Sequence, residues 1–291
     1  MVSRTPAFLI LLPPLATLAQ CGESDPCVPS GLLDPDAAPL DSGAWYRPQV
    51  ETSWEIQLTG ALDTSYDVDV YDVDLFDTSD ADFDRLHSQG AVILCYFSAG
   101  TAEEWRDDYD QFEDCAIGNP VAGWPGEYWL DIRAENVVEI MQARLDYARD
   151  RGCDGVDPDN VDGYTNATGF DLSADDQRAY NKFLANEAHQ RGLSVALKND
   201  NSQVDELVAY YDLMVNEECH AYDECDPLHV FVANGKPVFN IEYANTEAAA
   251  LDMASTLCPE ALADDFRTLI MPMALDGSWR VGCDDYTGEG N

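Results

Sequence analysis

The chain has 291 residues, 46% of them hydrophobic, which is enough for one large domain with its own core and too apolar for a disordered acidic tail. Asp and Glu number 56 against 15 Lys and Arg, a net charge of −41. Such a surface repels nucleic acid and anionic lipid and draws cations, whether polymers or metal ions, although solubility or adaptation to salt is the plainer reading.

Residues 1–20 read as an export signal: Arg4 precedes the apolar run from Ala7 to Leu12, and small residues follow. Pro13 and Pro14 break that run, which is too short for a membrane-spanning helix. The stretch from Leu18 to Cys21 (LAQC) resembles a bacterial lipoprotein box with Cys21 as the lipidated residue, and Gln20 stands where a small residue is usual. Lipid attachment at Cys21 and plain secretion are the two readings, and both place the protein outside the cytoplasm. Nine cysteines fit that oxidising setting. Cys219 and Cys225 are close enough to pair, Cys258 and Cys283 are placed to staple the C-terminus, and Cys95 and Cys153 sit in strand-like runs as buried thiols. With no C-x-x-C and four scattered histidines, no metal is expected. Residues 21–50, with Pro26, Pro29, Pro35, Pro39 and Pro48, read as a tether ahead of a domain spanning 51–291.

From Trp54 onward short apolar runs alternate with amphipathic stretches. Strands are expected at 55–58, 68–73, 91–97, 155–157, 194–197, 213–216, 238–241 and 269–271. Helical periodicity is clearest at 137–149, 174–190 and 246–256, the first placing Val138, Met141, Leu145 and Ala148 on one face. Eight strands interleaved with helices point to a (β/α)8 TIM-type barrel, with an open doubly wound sheet as the other possibility. No G-x-G-x-x-G follows the early strands, so a dinucleotide site has no support.

Barrel enzymes work at the C-terminal ends of their strands. Just past the expected strands stand Asp74, Ser98-Ala99-Gly100, Asp159-Asn160, Lys198-Asn199-Asp200, Glu217-Glu218 and Glu242-Tyr243. One such residue is ordinary turn chemistry; six in register form a ring. The densest segment is GVDPDNVDGY (155–164), where Asp157 and Asp159 are two apart and point the same way in an extended chain. Taken by itself it also reads as an Asp-rich turn. Glu217 supplies a second carboxylate, and by itself reads equally as a solvated helix start. Trp105, Trp124, Tyr128, Trp129 and Tyr164 are expected in loops after the third and fourth strands, as flat surfaces for sugar faces or as packing. Arg106 and Lys198 suit either salt bridges or substrate contacts, and His189 a helix flank. Ser98 lacks the G-x-S-x-G elbow, and Asp67-Val-Asp69 lacks the pattern of a calcium loop.

Eight segments resemble glycoside hydrolase family 114, the endo-α-1,4-polygalactosaminidase family: WEIQLTG (54–60), YDVDLF (71–76), CYFSAG (95–100), WPGEYWLD (124–131), DPDNVDGY (157–164), LKND (197–200), VNEEC (215–219) and IEY (241–243). The resemblance implies a (β/α)8 barrel and endo-hydrolysis of polymers of α-1,4-linked galactosamine and N-acetylgalactosamine, with no cofactor. It places the catalytic pair on Asp159 and Glu217. By analogy with retaining α-galactosidase barrels, Asp159 is the nucleophile and Glu217 the acid/base, with swapped roles left open. Substrate contacts are expected from Tyr96, Trp105, Trp124, Asp157, Asn160, Asp162, Tyr164, Lys198, Asn199 and Glu242, with Asp162, Asp200 and Glu242 as partners for the ammonium groups of a cationic polysaccharide. Two other functions stay open: hydrolysis of a different amino sugar or α-galactoside, and a non-catalytic glycan-binding lipoprotein.

Overall fold

Short runs rich in Val, Ile, Leu and aromatic residues, buried on both faces, form parallel strands because only a covered sheet satisfies them. The structure is a computed structural model and describes residues 27–286. The expected export signal and Cys21 lie outside the described residues. Eight strands follow the chain: β1 (Trp54–Gln57), β2 (Val70–Asp74), β3 (Val92–Ser98), β4 (Gly155–Asp159), β5 (Ser194–Lys198), β6 (Leu213–Glu217), β7 (Val238–Tyr243) and β8 (Arg267–Met271). Each pairs in parallel with the next. At the last seam Trp54 Nε1 donates to the Arg267 carbonyl at 2.7 Å, and the amides of Leu58 and Thr59 donate to the Leu275 carbonyl at 3.0 and 3.2 Å. The fold is a (β/α)8-type barrel.

The expected long helices are present as Glu135–Arg151, Ala174–Gln190 and Glu247–Ala263. Ser173 opens the second of these with a capping box, its hydroxyl accepting from the Asp176 amide while the Asp176 carboxylate accepts from the Ser173 amide. A further helix, Asp80–Gln89, buries only Phe83 and Leu86, too few apolar positions to show as a stripe in the sequence.

Along each strand alternate side chains enter the barrel. Through the body of the barrel these are Trp54, Ile56, Val70, Leu94, Ala196, Leu213, Val215, Phe239, Ile241, Leu269 and Met271, with Trp54 stacked on Phe239 at 4.6 Å between centroids. Two residues further along, the same inward series turns polar: Asp72, Asp74, Tyr96, Ser98, Asp157, Asp159, Lys198, Glu217 and Tyr243. An apolar plug thus supports a polar mouth.

The segment after β3 carries a three-stranded antiparallel sheet, Thr101–Glu103 beside Glu127–Leu130 beside Ile117–Pro120. Tyr128 and Trp129, expected in loops, belong to its central strand. Residues 27–50, expected as part of a tether, are also placed differently. From Cys27 on they are strapped to the barrel: Cys27 is bonded to Cys115, Lys182 Nζ donates to the Pro35 carbonyl at 2.7 Å, and Trp45 stacks on His189 at 4.0 Å while donating to Asp212 at 3.0 Å. His189 is accordingly buried and hydrogen-bonded to Asp212 at 2.8 Å. Cys219–Cys225 and Cys258–Cys283 are disulfides. Cys95 and Cys153 are a disulfide as well, not free thiols: Cys95 points outward from β3 and meets Cys153 at the foot of neighbouring β4. Four disulfides place the chain in an oxidising, extracytoplasmic compartment.

Candidate active site

The mouth of the barrel opens into a cleft of about 700 Å³. Of the catalytic residues and substrate contacts that the family resemblance implied, Tyr96, Trp105, Trp124, Asp159, Asn160, Asp162, Lys198, Asn199 and Glu217 line it. Asp157 lies one layer beneath, fully buried.

Lys198 organises the floor. Its ammonium, 2% exposed, stands 3.4 Å from Asp157 Oδ2, 3.5 Å from Asp159 Oδ2 and 4.0 Å from Glu217 Oε2. Burial works against that charge, but Asp157, Asp159 and Glu217 outweigh it and hold its pKa well above the usual lysine value. The Asp159 and Glu217 oxygens are separated by no more than the sum of their distances to one nitrogen, which is below the upper limit of about 9.5 Å for glycosidase carboxylate pairs.

Each carboxylate is also held from its own side. Tyr96 donates its hydroxyl to Asp159 Oδ2 at 2.9 Å, and the Asn160 amide donates to Asp159 Oδ1 at 2.6 Å. Asn199 donates Nδ2 to Glu217 Oε2 at 3.0 Å and accepts the Glu217 amide at 2.9 Å, while the Tyr243 hydroxyl donates to Glu217 Oε1. Both side chains are therefore fixed in direction before any ligand arrives. The backbone is bent to allow it: Asn160, Asn199 and Glu218, each the first residue past its strand, have φ of 60°, 50° and 61°. That left-handed region is uncommon for non-glycine residues and is concentrated at functional sites.

Beneath the pair, burial and the neighbouring Asp157 raise the pKa of Asp72 well above the carboxylate range, and burial, opposed by Lys198, raises Asp157 to about 6. On the walls, burial lifts Asp162 to about 6, with the Asp159 charge adding. Arg106, expected either as a salt bridge or as a substrate contact, is committed to the first: it grips Asp74 at 2.6 Å and Glu103 at 3.0 Å and reaches Asp77 at 3.2 Å.

Besides Asp157, three expected contacts do not line the cleft. Glu242 alternates with Ile241 and Tyr243, so it faces away from the barrel axis and accepts from the His220 amide at 2.9 Å. Tyr164 donates to Asp200 and pairs with the Ser202 hydroxyl. Asp200 is buried beside them, taking Nδ2 of Asn181 at 2.9 Å, and burial with the Asp162 charge raises its pKa to about 8. Glu103 and Glu127 went unnoticed in the sequence, and Tyr243 was named at the barrel mouth beside Glu242 without a role of its own. Glu127 sits inside the WPGEYWLD stretch, read there for its aromatics, and Tyr243 follows directly on Glu242.

A (β/α)8 barrel whose mouth is a carboxylate-lined cleft rimmed by exposed tryptophans has the build of a glycoside hydrolase, and this chain is one. It belongs to glycoside-hydrolase family GH114, whose sequence model matches residues 35–288. The chain is 43% identical to Ega3 of Aspergillus fumigatus, solved in complex with galactosamine, with a TM-score of 0.77 over 83% of this chain and 99% of that one. The glycoside hydrolase domain of PelA from Pseudomonas aeruginosa shares the fold at 17% identity, with a TM-score of 0.62 over 79% of this chain and 97% of the other. An uncharacterized protein of Deinococcus radiodurans is 26% identical over 229 residues, 67% of this chain and 73% of that protein.

Proposed function

We propose that this enzyme cuts within polymers of α-1,4-linked galactosamine and N-acetylgalactosamine by a two-step retaining mechanism. The observation that carries the reading is the pairing of Asp159 and Glu217 over one ammonium, each held by its own donors and both facing the same cleft. In the first step the Asp159 carboxylate attacks the anomeric carbon, the bond from that carbon to the leaving oxygen breaks, and the Glu217 carboxyl gives its proton to that oxygen. In the second, Glu217 takes a proton from water, the water oxygen bonds to the anomeric carbon, and Asp159 is released as a carboxylate. The short Asp159 side chain, fixed at both oxygens, suits the nucleophile; the longer Glu217 suits the group that reaches the glycosidic oxygen from the side.

A cationic substrate is favoured by the charge of −41 and by Glu127, Asp162 and Glu218 in the cleft wall. The 43% identity to a protein solved with galactosamine supports the same sugar here. Trp105 and Trp124, 51% and 53% exposed at the rim, offer faces for sugar units beyond the cleavage point, as internal cleavage requires. Lipid attachment at Cys21 would hold the enzyme at the membrane that exports it, and the mass of the exported protein tests that.

The enzyme is incubated with partially deacetylated α-1,4-galactosamine polymer, and its products are sized by mass spectrometry while NMR follows the first-formed anomer. Oligosaccharides with the α configuration are expected. Release of monosaccharide alone, or no cleavage, overturns the proposal, and β products overturn the retaining step.

A further inference from the structure

Two acids of the inward series stand below the cleft, Asp72 on β2 and Asp157 on β4, and both are fully buried. Alternate strands of a barrel share a layer of inward side chains, and only β3 separates these two. Their carboxyls lie within hydrogen-bonding reach of each other. Lys198 Nζ donates to Asp157 Oδ2 at 3.4 Å. Asp157 Oδ1 and both oxygens of Asp72 are met by no donor among the described residues. The charged groups that face Asp72 are Asp157 and Asp159 from β4 and Lys198 from β5, so Lys198 is the one cation among them.

Two ionised carboxylates in contact repel, and a buried charge with no donor is costly. One proton between them removes both penalties, because the acid has an O–H to give and its ionised partner has a free oxygen to take it. Lys198 decides which residue keeps the proton. It favours the ionised form of Asp157 by charge and by a direct hydrogen bond, and it acts on Asp72 by charge alone. With the proton on Asp72, the Asp157 and Lys198 charges cancel and Asp72 adds none. Asp159 and Glu217 then face a floor without net charge.

We propose that Asp72 is a positioning residue of the active site: a neutral carboxylic acid that donates to Asp157 Oδ1, turns Oδ2 toward Lys198 and fixes the charge felt by the reacting pair above. This rests on Asp159 and Glu217 as that pair. Without the Asp72 donor, Oδ1 of Asp157 is stranded and the proton passes to Asp157 itself. Lys198 then loses its nearest counter-charge and draws harder on Asp159 and Glu217, which eases proton loss from both.

The test compares the full chain with Asp72→Asn, which keeps a donor of the same shape, and with Asp72→Leu, which fills the space without one. Both limbs of the pH profile of kcat/KM on deacetylated galactosamine polymer are expected to move to lower pH by about one unit in Asp72→Leu, which is tenfold in proton affinity, and to stay in place in Asp72→Asn. The free enzyme supplies a readout that needs no substrate. Infrared difference spectra, wild type minus Asp72→Asn, are expected to show the C=O stretch of a protonated carboxyl at neutral pH. Absence of that band overturns the proposal, as does an equal shift in the two variants or none in Asp72→Leu. If Asp72→Leu does not fold, the band and an unmoved Asp72→Asn profile decide. If the wild type cleaves no galactosamine polymer, the galactosaminidase reading fails, and the band, read in the free enzyme, still decides whether Asp72 holds the proton.

Discussion

A Cβ atom on Gly100 would stand 1.7 Å from the carbonyl oxygen of Asn160. The contact is backbone to backbone, with the amides of Ala99 and Gly100 donating to the Asp159 carbonyl at 2.8 and 3.1 Å, so the turn after β3 is the brace for the end of β4. Gly100→Ala must push Asp159 and Asn160 aside. A displacement near 1 Å costs about a hundredfold in rate, so kcat is expected to drop by about that factor while circular dichroism still shows a folded barrel. Wild-type kcat would mean that the brace does not position the carboxylate.

Asp159→Asn and Glu217→Gln each keep shape and remove the chemistry. Steady-state assays should show kcat lowered by at least about 10²-fold in either variant. Asp157→Asn, one layer below and out of the cleft, should lose less; a loss as deep as that of Asp159→Asn would shift the nucleophile's role to Asp157.

Lys198→Met leaves Asp157 buried without its cation. Removing one partner of a buried ion pair costs about 3–5 kcal/mol, read as a lower urea midpoint at unchanged m-value. Adding Asp157→Asn to that variant should restore part of the loss. If the double variant is no more stable than the single one, the Lys198–Asp157 contact is not what Lys198 contributes to the fold.

Asp200 gives the protein a stability that declines toward alkaline pH. A carboxyl whose pKa rises from 3.8 to about 8 on folding binds its proton more tightly in the folded chain. Its contribution is therefore complete below 3.8 and is lost as the pH climbs through about 8. In Asp200→Asn that decline is absent, so the wild-type-minus-variant difference in unfolding free energy should fall from pH 4 to pH 9, and a difference that does not vary with pH would contradict the assignment.

Long-range attraction between an enzyme of charge −41 and a polycation should fade with salt. Screening shortens to about 8 Å at physiological ionic strength, so KM for the deacetylated polymer is expected to rise with salt while kcat changes little. A flat KM would return the acidity to solubility or salt adaptation.

The eight strands were legible because a strand buried on both faces must be a short apolar run. Asp159, Glu217 and Lys198 were legible for a related reason: they stand where those runs stop. The antiparallel sheet was not, since Ile117–Pro120 contains Gly118, Asn119 and Pro120 and shows no alternation. With the sheet unseen, Glu127 had no wall to belong to. The strap of residues 27–53 was hidden differently. Its hold comes from side chains such as Lys182 and Asn186 donating to backbone carbonyls, which leaves no periodic trace in either partner. Glu242 was misplaced by a single residue of register, the inward position going to Tyr243.

The Cys27–Cys115 bond also sets the route that tension takes through the molecule. For a chain held anywhere upstream of Cys27, force need not travel through the strap and β1, because the disulfide bypasses 88 residues and delivers it to Cys115. Cys115 sits in the turn Asp114–Ala116 that leads into the edge strand Ile117–Pro120, which is hydrogen-bonded to the strand that carries Glu127 and Trp129. A tug on a chain held there and a tug on a polymer lodged in the cleft would therefore meet in three antiparallel strands, sparing the barrel that holds Asp159 and Glu217.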